Sequence, residues 1–593
     1  MFSNQPKSTT KKIIILILFL TTKLNYSQSL DNNNKALEKK IDKYLTEGQA
    51  KGFSGAVLIA KNGKILLNKG YGIANREKKE VITSETVFST GSVTKQFTAA
   101  AVLKLVELDK LKLTDKLATF FKNLPEDKKN ITIHQLLIHA SGLVGGIGIG
   151  DFEDISTNNF FKTLFNTKLR YKSGTKHRYS NAGYSVLARI IELVSKQEYE
   201  EFLLEHLFKP SGMMHTGYLM PKWENKKLAN GYVNGIINWG AMIPRFQKAG
   251  NISWALKGNG GIQSTSEDMY KWYQALNSNL VLSKSSIKLL TTPYIKEQEG
   301  SDLSHYAYGW AIFNSDRKTK IVTHNGSNGI FFHEFMWLPE EDTVLIFFTN
   351  AYSREVEIIW QLEKMLFAQN YSPKPIQKSP YLLVLDFIDK NNVNQSKELL
   401  SLIKQKYGSD FSDSNVLNQI GYMLLERNQS SNWMIELFKL NVRLFPDNAN
   451  LWDSLGDGYK SKNDTKNAIK SYKKALELDP TITTSIKSLK ELGIVYTNKT
   501  PKTINISKSI LKNYVGEYRL KSGHLIKVLI KQSNLYIEFP GRPLMQLIPK
   551  SETKFSIANR NASLMFMNNA TDINSFTITE NGEQMIAKKL IHN

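Results

Sequence analysis

The chain has 593 residues, 78 Lys and Arg against 54 Asp and Glu, 41% hydrophobic residues and no cysteine. Single cores rarely grow past about 250–300 residues, so several domains are expected, and the lack of cysteine excludes a Cys nucleophile, disulfides, Cys-ligated metal and thioether lipid anchors. The net charge of +24 is scattered along the chain, without basic runs interleaved with aromatics, and argues against a nucleic-acid partner.

Lys7, Lys11 and Lys12 precede an apolar stretch, Ile13 to Leu20, after which the chain turns polar. A basic start, a short apolar core and small residues near Ser27 or Ser29 predict a signal peptide over 1–27. The apolar core is eight residues long, against about 20 for a spanning helix. The alternative is an uncleaved anchor, since the cleavage site is not a clean A-x-A. The mature chain is expected to be exported, periplasmic or secreted at a bacterial cell envelope, with no integral membrane domain.

Residues 31–370 mix strand and helix signals. Phe53–Ala60 and Lys64–Tyr71 read as strands joined at Asn62-Gly63, a strong hairpin signal. Ile321–His324, Phe331–Leu338 and Thr343–Thr349 read as three more, with turns expected at Asn325-Gly326 and Pro339–Asp342. Helical patterns lie between the two strand groups, so one sheet assembled from both ends of the region is expected. Residues 380–498 carry helical periodicity. Trp452, Leu455, Gly456, Tyr459, Ala468, Tyr472, Ala475 and Pro480 resemble a tetratricopeptide repeat. Phe438 and Pro446, 34 residues before Tyr472 and Pro480, suggest a degenerate preceding copy. Residues 505–593 return to short strands with Gly and Pro punctuation, which predicts a small β-barrel or sandwich. The Tyr514-x-Gly516-x-Tyr518 element there looks like the lipocalin-like domain appended to secreted serine hydrolases.

The chemistry concentrates in the first region. Ser92-Val-Thr-Lys95 places a hydroxyl and an amine at i and i+3, one face of a helix. A lysine of lowered pKa can then assist deprotonation of the serine, and the helix start supplies N–H groups for an oxyanion. The spacing alone is weak, since it recurs at Ser173–Lys176, Ser285–Lys288, Ser401–Lys404 and Ser471–Lys474. Tyr179-x-Asn181 likewise has chance echoes at Tyr232 and Tyr496. The ordered set Ser92-x-x-Lys95, Tyr179-x-Asn181 and His324-x-Gly326 carries the weight. It resembles the class C β-lactamase and D-alanyl-D-alanine peptidase family of active-site-serine enzymes, over roughly residues 50–350. Thr132–Leu143, Tyr179–Gly212 and Gly260–Asp268 extend the likeness.

That resemblance implies an α+β (α/β) fold, an antiparallel sheet flanked by helices with the serine at their junction. It implies that Ser92 forms an acyl-enzyme and that Lys95 helps deprotonate it. Tyr179 would act as phenolate or through a proton network with Lys95. Asn181 would bind a substrate amide, and the N–H groups of Ser92 and Ser327 would form an oxyanion hole. His324 and Gly326 would line the facing strand. Relatives that destroy β-lactams usually carry lysine where His324 stands, so efficient β-lactam hydrolysis is less expected than acylation itself. His134 and His139 fall on a helical segment and are not nominated. Gly145–Gly150 follows no strand and reads as a flexible active-site loop rather than a nucleotide site. No metal or organic cofactor is implied.

The expected function is an exported serine hydrolase acting on D-amino-acid peptides, small esters or, in a minor role, β-lactams. The alternative is a non-catalytic or slowly acylating scaffold whose helical repeats recruit a protein partner.

Overall fold

A computed structural model describes residues 33–593 apart from 352–356, 369, 409–412, 428–431, 497–505, 521–524, 532, 540–543, 558–561, 570–571, 581–582 and 591–593. The signal peptide expected over 1–27 lies outside the described residues. The hairpin forms where the sequence places it. β1 (Gly55–Lys61) and β2 (Lys64–Tyr71) meet at Asn62-Gly63, both left-handed (φ 52° and 69°), as the twist of a two-residue hairpin requires. β3 (Ile295–Lys296), β4 (Ser304–Tyr306), β5 (Ala311–Asn314), β6 (Lys320–Ser327), β7 (Phe332–Leu338) and β8 (Thr343–Thr349) complete an antiparallel sheet ordered β2-β1-β8-β7-β6-β5-β4-β3. The first strand pairs with the last, Gly55 opposite Thr349 and Lys61 opposite Thr343, so the sheet is built from both ends of the region.

The central strands β1, β7 and β8 are buried nearly throughout because both faces are covered. Leu58, Phe335, Trp337 and Ile346 pack towards a core containing Phe97, Val102 and Leu105. Those three belong to α1 (Thr94–Glu107), buried on almost every side. The alternate residues Val57, Ile59, Met336 and Leu345 face a second core. It is closed by Ile41 and Leu45 of helix 33–49 and by Ile359 and Leu362 of helix Glu357–Phe367. α2 (Ile133–Leu137) opens on a capping box in which Thr132 and Gln135 exchange side-chain and backbone hydrogen bonds.

One expected turn is absent. β6 runs through Asn325 and Gly326 to Ser327, with Gly326 opposite His333 and Ser327 opposite Phe332. The chain reverses instead at Asn328–Ile330, where the Asn328 side chain accepts the N–H groups of Ile330 and Phe331.

The chain divides into two units, Met1–Ser379 and Pro380–Asn593. In the second, helices Ala449–Ser461 and Thr465–Leu478 form the repeat. A Cβ on Gly456 would stand 2.4 Å from the Tyr472 ring, so glycine is what lets the helices cross here. The pair before it, Asn415–Glu426 and Asn432–Leu444, uses the same device, with Gly421 against Phe438. The last region is a closed barrel of eight strands from Gly516–Leu520 to Glu583–Lys589. Tyr518, Phe555, Phe566 and Phe576 fill its interior. Closure by Tyr518 opposite Lys589 decides between the barrel and the sandwich.

Candidate active site

The turn Gly91–Val93 leads into α1, and Ser92 sits on it at the end of β6. Backbone approaches backbone there. A Cβ on Gly326 would stand 2.1 Å from the Thr90 carbonyl oxygen and 2.5 Å from the Ser92 nitrogen, and one on Gly91 would stand 2.7 Å from the Ser327 nitrogen. Gly91 also takes φ 51°. Glycine at both positions therefore brings the amide nitrogens of Ser92 and Ser327 to one junction beside the serine hydroxyl.

Lys95 lies one helical turn on and is wholly buried. Its Nζ donates to Ser92 Oγ (3.1 Å), Asn181 Oδ1 (2.9 Å) and the Asn259 carbonyl (2.6 Å). Three neutral acceptors saturate the ammonium without neutralising it, and no carboxylate is paired with it among the described residues. Burial accordingly pushes the Lys95 amine well below the usual lysine range. The positive end of its own helix acts in the same direction.

The Tyr179-x-Asn181 spacing also has a local cause. α3 (Asn181–Ser195) begins at Asn181, and the intervening Ser180 is its cap, with Oγ accepting from the Gly183 N–H (3.0 Å) and donating to the Val144 carbonyl (2.7 Å). Tyr179 and Asn181 thus flank a fixed helix start. The Tyr179 ring lies 4.6 Å from Lys95 Nζ. Tyr179 keeps 38% of its surface exposed; desolvation within the site pushes its phenol up, a hydrogen bond with Ser92 acting against that, so Tyr179 is a neutral phenol rather than a phenolate at ordinary pH.

His324 on β6 is 6% exposed. Its Nδ1 donates to the Asn325 carbonyl (2.6 Å), which places a ring proton there, and its Nε2 faces the Tyr306 hydroxyl at 3.0 Å. Burial, with Lys95 nearby, pushes its imidazole down to about 3. It is not a cation. The glycine-rich loop lines a cavity of about 130 Å³ beside Asn181, together with Asp151 and Phe160.

All seven nominated residues therefore belong to one junction. Sequence reasoning missed Tyr306, which engages His324, and the Asn259 carbonyl, which no side-chain pattern announces. It also passed over His139, which lies beyond α2 rather than on it and packs against Tyr179. The rings that surround His139 come from distant segments, and its left-handed backbone is not displayed by the sequence either.

Residues 37–363, more than half of the chain, match the family model described as Beta-lactamase, and residues 449–482 match Tetratricopeptide repeat. PbpX of Bacillus subtilis (strain 168) is 35% identical over 257 residues, 43% of this chain and 62% of that protein, so the match spans less than two thirds of its length. Penicillin-binding protein 4* of the same organism is 28% identical over 356 residues, 57% of this chain and 77% of that protein. Among solved structures, the octameric penicillin-binding protein homologue from Pyrococcus abyssi aligns over 93% of this chain and 99% of its own, with 19% identity and a TM-score of 0.49. Among the described residues no helix is long and apolar enough to cross a membrane.

Proposed function

Because the chain belongs to the Beta-lactamase family, we propose that it is an exported serine hydrolase that transfers an acyl group to Ser92 and then to water. The observation that carries this reading is the buried Lys95 amine, 3.1 Å from Ser92 Oγ and surrounded by neutral acceptors only. Its lowered pKa makes the free amine available as a base at a lower pH than an ordinary lysine allows. As Ser92 Oγ attacks the substrate carbonyl, its proton passes to Lys95. The carbonyl electron pair moves onto oxygen, which the Ser92 and Ser327 amides receive. Collapse breaks the bond to the leaving group, which takes its proton from Lys95 by way of the neutral Tyr179 phenol. Water then attacks the acyl-enzyme along the reverse proton path and frees Ser92. Asn181 holds the substrate amide, while Gly326 lets β6 come close enough to form the oxyanion site.

The neutral His324 refines the substrate class. A terminal carboxylate finds no cation at that position on β6, so neutral esters and amides are favoured over β-lactams and free-carboxylate D-peptides. Export rests on the basic and apolar pattern of residues 1–27. The test is a hydrolysis panel of p-nitrophenyl esters, D-alanyl peptides with free or amidated ends, and a chromogenic cephalosporin, with wild type beside Ser92→Ala. Turnover of neutral substrates that depends on Ser92 supports the reading. A single burst without turnover would move the assignment to an acylating scaffold.

A further inference from the structure

His139 is a buried imidazole in a conformation that side chains rarely adopt. It follows Ile138, the residue that closes α2, has φ 56° and is 1% exposed. Glycine is the usual occupant of that backbone region after a helix. His139 grips the Tyr179 segment at three consecutive residues, one through its backbone carbonyl and two through its imidazole. The His139 carbonyl accepts from Arg178 N–H (2.9 Å). Its Nδ1 accepts from Ser180 N–H (3.1 Å). Between them, the ring lies 4.2 Å from the Tyr179 ring, tilted by 42°. The Tyr171 hydroxyl also donates to the His139 carbonyl (3.0 Å), tying the bend to the loop that precedes Tyr179.

The other rings facing Tyr179 stand farther off, Tyr306 at 6.2 Å and His324 at 6.1 Å, so His139 is the closest planar wall against it. Because Nδ1 accepts a backbone N–H, the neutral ring carries its proton on Nε2. That nitrogen is buried without a partner among the described residues. Burial, with Lys95, His177 and His324 adding to it, pushes the imidazole well down and keeps it neutral. Tyr184 and Tyr306 also pack against it, so no acid faces the ring from these neighbours.

We propose that His139 is a positioning residue of the acyl-transfer site, holding the Tyr179 phenol in line with Ser92 and Lys95 through the backbone on either side of it and through direct ring contact. The inference rests on the hydrolase reading and goes beyond it, because His139 touches none of the reacting atoms.

Two substitutions take the device apart. His139→Asn keeps tolerance of the left-handed backbone and an acceptor at the δ position for Ser180 N–H, but removes the wall behind Tyr179. His139→Phe keeps a ring and loses the acceptor. Each is made in wild type and in Tyr179→Phe, and kcat and KM are measured on an ester that wild type hydrolyses, with thermal unfolding in parallel. The expected result is a loss in kcat of about 100-fold for His139→Asn with KM changed far less, as for a misplaced reacting group. In the Tyr179→Phe background the same substitution should change kcat by less than threefold, because its target is gone. An undiminished loss in that background overturns the proposal, and so does a wild-type kcat in His139→Asn. Should His139→Asn not fold, His139→Phe is scored by the same cycle. Fluorophosphonate labelling of wild-type Ser92 separates the two levels. Labelled, active wild type with no coupling between His139 and Tyr179 defeats only this inference, whereas an unlabelled and inactive wild type defeats the hydrolase reading and this inference with it.

Discussion

The serine junction and the tetratricopeptide pair both press a glycine against a close neighbour, and both set charged side chains near tyrosines. In the repeat, Gly456 makes room for the Tyr472 ring. The Asp457 carboxylate accepts from the hydroxyls of Tyr472 (2.7 Å) and Tyr422 (2.8 Å), one from each helix pair, and Asp453 accepts from Ser485 and Thr484. Each of these carboxylates meets donors, as packing requires. At the serine, Gly326 makes room for backbone, and the buried Lys95 ammonium meets neutral acceptors that leave its charge uncompensated. A glycine contact or a buried charge does not by itself mark chemistry. A buried amine held by neutral acceptors, one helical turn from a serine hydroxyl and beside two converging backbone amides, does.

The sharpest way to break this contrast is Ser92→Ala. Turnover should fall by about 10³-fold or more while the thermal midpoints of both units stay close to wild type, read by steady-state kinetics and calorimetry. The matched pair of glycines comes next. Gly326→Ala drives a methyl into the Thr90 carbonyl and the Ser92 amide, and should lower kcat by about 100-fold. Gly456→Ala drives one into the Tyr472 ring, and should destabilise the second unit by about 1–3 kcal/mol with hydrolysis unchanged. If both glycines affected activity alike, the two regions would not differ as described.

The pH profile sharpens the comparison from the Lys95 side. Its pKa is lowered, so the free base gains population as pH rises through that value. The phenol of Tyr179 is raised, so it does not ionise in the same range. Measured kcat/KM should therefore climb with pH, level off below the free-lysine range near about 10.4, and show no fall from phenol ionisation below about pH 10. The smallest effect belongs to the repeat. Asp457→Asn weakens two hydroxyl-to-carboxylate hydrogen bonds and should cost about 1–2 kcal/mol in urea unfolding of the second unit, with kinetics untouched.

Legibility in the sequence followed how local each cause is. Ser92 and Lys95 sit on one helical turn, so their spacing already implies their contact. The two Asn-Gly pairs show the limit. Asn62-Gly63 takes the left-handed region at both residues and becomes a turn, its Asn62 N–H reaching the Asp342 carbonyl (2.9 Å). Asn325-Gly326 has β7 beside it and the Ser92 turn above it, so the same dipeptide stays extended and its glycine serves a close approach instead. Tyr306, His139 and the Asn259 carbonyl reach the site across 18 to 164 residues of chain, and only the folded sheet and loops bring them together. The barrel was legible as short strands, but its closure depends on the register of Tyr518 with Lys589, which strand propensity does not specify.

The central claim is that Lys95 makes Ser92 a nucleophile, and covalent labelling tests it most directly. Wild type, Ser92→Ala and Lys95→Gln would be exposed to a fluorophosphonate and, separately, to a penicillin, then examined by intact-protein and peptide mass spectrometry. The account predicts one fluorophosphonate adduct, on the peptide containing Ser92, absent from Ser92→Ala and formed at least about 100-fold more slowly in Lys95→Gln, with the penicillin adduct weaker than the fluorophosphonate one. Folded wild type that takes up neither reagent, or equal labelling of wild type and Lys95→Gln, would contradict it.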